Sequence, residues 1–232
     1  MISYPTPPDW LRSEIKTRYP RWIPDWKKLK PLFGEIQHRK CAYCERKLDL
    51  FKHTFEGDID HFRPKSRYPQ LAHEPTNYTL TCDICNRSYK GDKFPTKGSY
   101  AGITATSPTS LKNEDPDFVH PLDPQEPKLE DIIGFIGVIA FSKVPSNSRE
   151  EERANAMIDH FSLNGRDDLR EERIKDMERI YLAYINPTNP VAEVVLQTAE
   201  SASEAHSNFA GCYLRLCRDD FPTAEALAQA VL

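Results

Sequence analysis

The sequence predicts an α+β protein in two parts, a cysteine-bearing front of short strands and turns and a back of helices. Three observations carry this. Two CxxC pairs, Cys41 with Cys44 and Cys82 with Cys85, fall in the first hundred residues. Apolar residues recur at helical spacing after Pro145. The charge also divides: residues 1–100 hold 19 Lys and Arg against 12 Asp and Glu and residues 101–232 hold 12 against 23, so a front of +7 meets a back of -11 within an overall -4. A positive front suits a polyanion, although a solvated charged face is the plain alternative.

At 232 residues the chain is long enough for a sizeable core. A mean hydropathy of -0.63 argues against a membrane protein, and the longest apolar run, Ile132 to Phe141, is too short to span a bilayer. The opening MISYPTPPDW has no charged segment followed by an apolar one, so a cytoplasmic location with no membrane partner is expected.

In chain order, Asp9 is placed to cap a short helix carrying Trp10, Leu11 and Ile15. Trp26, Leu29, Phe33 and Ile36 mark a second, which Pro31 kinks or delays. Residues 41–61 read as short strands around turns, with Glu56-Gly57-Asp58 as the turn before Ile59, and 62–77 as a polar loop. Thr79 and Leu80 lead into the second CxxC, and Cys85 to Lys90 opens a helix. A Pro-rich extended connection and a hairpin or buried strand over Ile132 to Phe141 follow. Ala154, Met157, Ile158 and Phe161 then give one helix, stopped by Asn164-Gly165, and Ile174, Met177, Tyr181 and Tyr184 give another. One long helix is expected from Asn189-Pro190 through Leu216, and a short last helix after Asp219-Asp220. The expected divisions are 1–100, 101–148 and 149–232.

Without an export signal, six cysteines are ligands or buried thiols rather than disulfides. Four thiolates at two CxxC spacings close a tetrahedral zinc site, with iron the rival metal and redox or core cysteines the plain alternative. Cys212 and Cys217, in AGCYLRLC, are expected to pack in a helix.

Between the pairs stands Asp58-Ile59-Asp60-His61, a carboxylate directly before a histidine at a strand end. The succession CAYCE, DIDHFRPKS, TNYTLTC and CDICNRSYK resembles the HNH nuclease motif over residues 38–95, with Asn86 where the last histidine of the name would stand. The resemblance implies a ββα-metal core clipped by zinc on Cys41, Cys44, Cys82 and Cys85, with an N-terminal helical extension and a C-terminal helical region. In it His61 is the catalytic base, Asp60 and Asn86 hold Mg²⁺ or Mn²⁺, and Asn77 supports His61 by tying its loop. Those roles suit the chemistry: imidazole titrates near 6.5 and accepts a proton at neutral pH, and hard oxygens suit a hard cation. Arg63, Lys65, Arg87 and Lys90 are candidate phosphate contacts, with Arg67 and Lys93 beside them. His53 and His73 are candidate extra ligands that rank below these as surface or loop histidines, and His38 could sit near the zinc, whose shell the four cysteines already complete.

Further along, CNRSYKGDKFP, DPDFVHPLDPQEP and IDHFSLNGRDDLREER resemble the PtuB-type nuclease subunits of Septu and retron-associated bacterial antiphage systems. That likeness implies an ABC-type ATPase of the PtuA type as partner and a retron reverse transcriptase with its RNA/DNA product in some systems; the HNH resemblance implies DNA as the default substrate, and the charge split and long apolar stripe make the acidic helices a candidate docking surface, with packing against the chain's own nuclease domain the plain alternative. No GxxxxGK[ST] occurs, so nucleotide control would come from the partner. RNA, including tRNA, stays open as a substrate, as does a zinc-stabilised module that binds nucleic acid without cutting it.

Overall fold

A computed structural model of the chain describes residues 29–48, 57–98, 111, 114–123, 125–199, 201 and 207–231, and in them the protein is α+β. The expected helix after Asp9 lies outside these residues. Two compact units form, one running to Tyr43 and resuming over Leu48–Leu129, the other comprising Cys44–Lys47 and Glu130–Leu232.

In the first unit, helix α1 (Lys30–Ile36) carries Pro31 in its opening turn, where a missing N–H removes no helical bond, so the proline delays the helix instead of kinking it. Leu32 and Phe33 are its buried side. Strands β1 (Gly57–His61) and β2 (Tyr78–Cys82) pair antiparallel, with Asp58 opposite Thr81, Asp60 opposite Thr79 and His61 opposite Tyr78. Every residue of β2 is buried, so its outer edge needs internal partners. Gln37 supplies them: its Oε1 accepts from the Leu80 N–H at 2.7 Å and its Nε2 donates to the Leu80 carbonyl at 3.1 Å. The Ala42 N–H shares that carbonyl at 2.9 Å, so one amide and one turn do the work of a third strand.

The polar loop over 62–77 holds two 3₁₀ turns, Pro69–Leu71 and Pro75–Asn77, each opened by a proline. The helix expected from Cys85 is a wider π-helical turn, Ile84–Lys90, a winding that recurs at functional sites. In the expected connection, β3 (Thr96–Lys97) pairs with β4 (Asp115–Pro116). Edge-to-face rings pack beside them: Phe94 meets Phe62 at 5.3 Å, Tyr68 at 5.6 Å and Phe118 at 6.3 Å.

A single turn, α2 (Leu129–Ile132), precedes the hairpin β5 (Ile133–Ile136) and β6 (Ile139–Ser142). Gly137 supplies the left-handed φ of +53° that its tight turn requires. Helices α3 (Arg149–His160) and α4 (Asp167–Ile185) follow, then α5 (Ala192–Thr198), α6 (Ser207–Asp219) and α7 (Phe221–Gln229). The single helix expected from Asn189 to Leu216 is therefore two. Thr198 turns its hydroxyl back onto the Val194 and Val195 carbonyls at 2.8 and 3.2 Å, and the Ser201 N–H closes a turn onto Thr198 at 2.8 Å. The apolar faces meet in one cluster of Met177, Ile180, Phe209, Tyr213, Leu214 and Cys217, while Cys212 is half-buried.

Within this second unit Arg46 reaches both Asp168 and Glu172 at 2.7 Å, and Arg166 grips the same Asp168 at 2.6 Å. No helix among the described residues is long and apolar enough to cross a membrane. At the start of α3 the Ser148 hydroxyl accepts the Glu151 N–H at 3.1 Å while Glu151 takes the Asn147 N–H at 2.6 Å, a reciprocal cap. Ser148→Ala is expected to lower stability by about 1 kcal/mol in urea unfolding, whereas exposed Ser146→Ala should leave the midpoint in place.

Candidate functional site

Cys41, Cys44, Cys82 and Cys85 are buried, and their sulfur atoms all lie within 4.8 Å of one another. None of the six cysteines is in a disulfide. The first pair sits in a tight turn after His38 and Arg39, both with left-handed φ. The second joins the end of β2 to the π-helical turn, where the Cys85 N–H donates to the Cys82 sulfur at 3.3 Å. Thiolates around zinc at 2.3 Å stand about 3.8 Å apart, a spacing this cluster accommodates. Four soft donors with no water-facing side therefore fit a structural metal, and His38 is exposed outside the set.

Beside the strand pair lies a groove of about 470 Å³. Strand β1 brings Asp58, Asp60 and His61 to it, the next loop brings Lys65, the π-helical turn brings Asn86 and Arg87, and α1 brings Lys30. The alternation of a strand puts residues 58 and 60 on one face, so β1 alone brings two carboxylates to the groove where one was read from the motif.

Asp60 is buried, and each of its oxygens is engaged. The Tyr43 hydroxyl donates to Oδ2 at 2.7 Å and the Lys90 ammonium to Oδ1 at 3.1 Å. Burial first, then the Asp60 charge, lifts the Tyr43 phenol well above its ordinary value, so it stays protonated and donating. His61 donates from Nε2 to the Ala72 carbonyl at 3.0 Å, which leaves the ring lone pair on Nδ1. The Tyr78 hydroxyl donates to the same carbonyl at 2.7 Å and its ring meets His61 edge-on at 5.0 Å. Burial holds the imidazole below its ordinary value, against the pull of the Ala72 carbonyl and Asp60, so the ring is neutral near pH 7.

Asn77 closes the loop that starts at His61. Its Oδ1 accepts from the Arg63 N–H at 2.8 Å, its Nδ2 donates to the Arg63 carbonyl at 2.9 Å, and its own carbonyl accepts from the Phe62 N–H at 2.8 Å.

Two candidate phosphate contacts stand elsewhere. Lys90 is fully buried, with its ammonium on Asp60 and on the His61 carbonyl at 2.8 Å. Arg63 is buried too, ion-paired to Glu114 and lying over the Phe94 and Tyr68 rings at 4.9 and 5.3 Å. Both cations are spent on packing because each has a buried carboxylate to neutralise. Lys65 and Arg87 do face the groove. Arg67 donates to the Phe94 carbonyl at 3.1 Å, Lys93 and His73 are exposed away from the groove lining, and His53 lies outside the described residues.

Sequence reasoning missed Tyr43, Asp58, Lys30 and Glu114. Tyr43 sits between two cysteines, where spacing says nothing about a hydroxyl reaching residue 60. His120, in the DPDFVHPLDPQEP stretch, is buried against Phe62 at 4.6 Å and accepts the Leu122 N–H at 3.2 Å. Burial pushes it down to about 4.

Fold and site together define an α+β protein with a four-thiol centre next to a groove carrying an Asp-His pair and an asparagine. No family model and no solved structure matches the chain. Two curated relatives are similar to it, both named Septu protein PtuB. The one from Bacillus mycoides (strain KBAB4) is 29% identical over 169 residues, 66% of this chain and 52% of that protein. The one from Bacillus thuringiensis is 33% identical over 76 residues, 33% of this chain and 28% of that protein. The likeness to PtuB is thus found, and the chain spans about half the length, or less, of the curated relatives it matches.

Elemental analysis of purified protein is expected to give about one zinc per chain, and Cys82→Ser to lose the metal together with thermal stability. A visible iron–thiolate absorption band would identify iron instead.

Proposed function

We propose that the chain is a metal-dependent HNH-type endonuclease that hydrolyses phosphodiester bonds in DNA, acting in a Septu-type antiphage system with an ABC-type ATPase of the PtuA type. The observation that carries the reading is the meeting of Asp60, His61 and Asn86 in one groove, on a strand–strand–helical-turn order with Cys82 and Cys85 at the junction of β2 and the turn and Cys41 and Cys44 ahead of β1. The relatives named Septu protein PtuB support the defence role.

Hydrolysis needs a deprotonated water, charge on the phosphate and a stabilised leaving oxygen. In this reading His61 Nδ1 takes the proton from the attacking water as the phosphorus–oxygen bond to the leaving group breaks. The Nε2–H bond to Ala72 holds the ring in the tautomer that can do so. A Mg²⁺ or Mn²⁺ held by Asp60 and Asn86 would supply positive charge that offsets the charge developing in the transition state. Asp60 offers a carboxylate oxygen and Asn86 an amide oxygen, hard donors that suit such an ion while it keeps several waters. Tyr43 and Lys90 fix the Asp60 carboxylate, and Asn77 fixes the loop behind His61. The thiolates hold zinc for folding, so soft and hard donors divide the two metals. Residues 1–100 would then form the nuclease part and the acidic helices of 149–232 the surface that meets the ATPase.

Plasmid DNA and total RNA, incubated with the chain and the ATPase in Mg²⁺ or Mn²⁺, test this. Wild type is expected to cut plasmid, and His61→Ala to cut about 10²- to 10⁴-fold more slowly with its zinc content unchanged. Loss of RNA in place of plasmid would reassign the substrate. Equal cutting by both proteins, or none by either, would overturn the reading.

A further inference from the structure

We propose that Asp58 is an electrostatic latch on the groove, holding Arg87 and Lys30 in its own ion pairs until the phosphates of duplex DNA take them. The proposal rests on the groove being the phosphodiester site.

The geometry is specific. Asp58 Oδ2 accepts from both Nε and Nη2 of Arg87, at 2.9 and 2.7 Å, and Oδ1 accepts from the Lys30 ammonium at 3.3 Å. Arg87 directly follows Asn86, and all three side chains of the pair network line the same groove as Asp60 and His61. Arg87 is the exposed partner: its side chain is 72% exposed, whereas that of Asp58 is 22% exposed.

The charge count explains why a latch matters. The groove lining carries Lys30, Lys65 and Arg87 against Asp58, Asp60 and Asp92, a formal balance. A polyanion gains little from such a surface, because two of its three cations already face a carboxylate. A guanidinium donates to phosphate in the same geometry as to carboxylate, and the exposed Arg87 end of the network is weak enough to exchange, whereas Lys30, with its side chain 16% exposed, is the more tightly held partner. Phosphate entering the groove therefore competes with Asp58 for Arg87 and Lys30, and the competition lowers affinity for DNA until the carboxylate lets go. A carboxylate that instead aimed Arg87 at substrate would have the opposite effect, and the two roles separate experimentally.

Binding of a short fluorescent duplex DNA to the full chain carrying His61→Ala, followed by anisotropy across a salt series, reads the latch without cleavage. Asp58→Asn is expected to tighten binding about 3- to 10-fold and to steepen the dependence of log K on log salt by about one to two units, as two more cations reach phosphate. Asp92→Asn, which removes another groove carboxylate, should tighten binding less and leave the slope unchanged. Adding Arg87→Ala should erase at least half of the Asp58→Asn gain. Unchanged or weaker binding by Asp58→Asn, an equal gain from Asp92→Asn, or a gain that persists in full without Arg87 would overturn the latch. Plasmid cleavage by the chain with native His61 separates this from the nuclease reading: cutting without the Asp58→Asn gain sinks the latch alone, and the gain without cutting sinks the nuclease alone. No duplex binding by any variant would sink both.

Discussion

The first unit is organised around one buried carboxylate. Asp60 sits on β1, and its two oxygens draw in Tyr43 from the turn of the first cysteine pair and Lys90 from the end of the π-helical turn. Three segments distant in sequence thus share one charge. Lys90 has no exposed surface, so neither partner of the pair can lose the other without leaving a bare charge in a dry place. Replacing a single member of such a pair costs about 3–5 kcal/mol, which ties the shape of the groove to the integrity of this contact. The thiol cluster ties the same first turn, where Tyr43 lies between Cys41 and Cys44, to the start of the same π-helical segment at Cys85.

The surrounding polar groups are used economically. Gln37 completes β2, and Asn164 does the same for β6, accepting the Ala140 N–H at 2.7 Å and donating to its carbonyl at 2.9 Å. Arg63, Glu114 and Tyr68 form a buried set behind the loop that follows His61, with the tyrosine hydroxyl donating to Glu114 at 2.9 Å. Cations that a surface reading assigns to phosphate are consumed here by structure, and the groove is left with few. That scarcity gives Asp58 its influence over Arg87 and Lys30.

Much of the site was legible because its signals are local. A CxxC spacing places two sulfurs on one turn whatever the rest of the chain does, and an Asp-His pair at a strand end stays together in any fold. The prolines at 31, 69 and 75 and the glycine at 137 mark turns for the same reason. What could not be read depends on partners far away. Lys90 and Arg63 look like surface cations until Asp60, 30 residues back, and Glu114, 51 residues on, are brought to them. The break between α5 and α6 was hidden because apolar residues keep a helical period across it, while a threonine hydroxyl and a serine turn end the first helix. Tyr43 was overlooked because a residue between two cysteines is read as a spacer.

In the proposed nuclease the soft and hard donors of this chain serve two different metals, one for the fold and one for the chemistry. Manganese titration followed by electron paramagnetic resonance, on protein whose zinc content is measured in the same sample, tests it most directly. The account predicts one bound Mn²⁺ per zinc-loaded chain, lost in Asn86→Ala while the zinc remains. Manganese binding that is absent, or that survives Asn86→Ala unchanged, would contradict it.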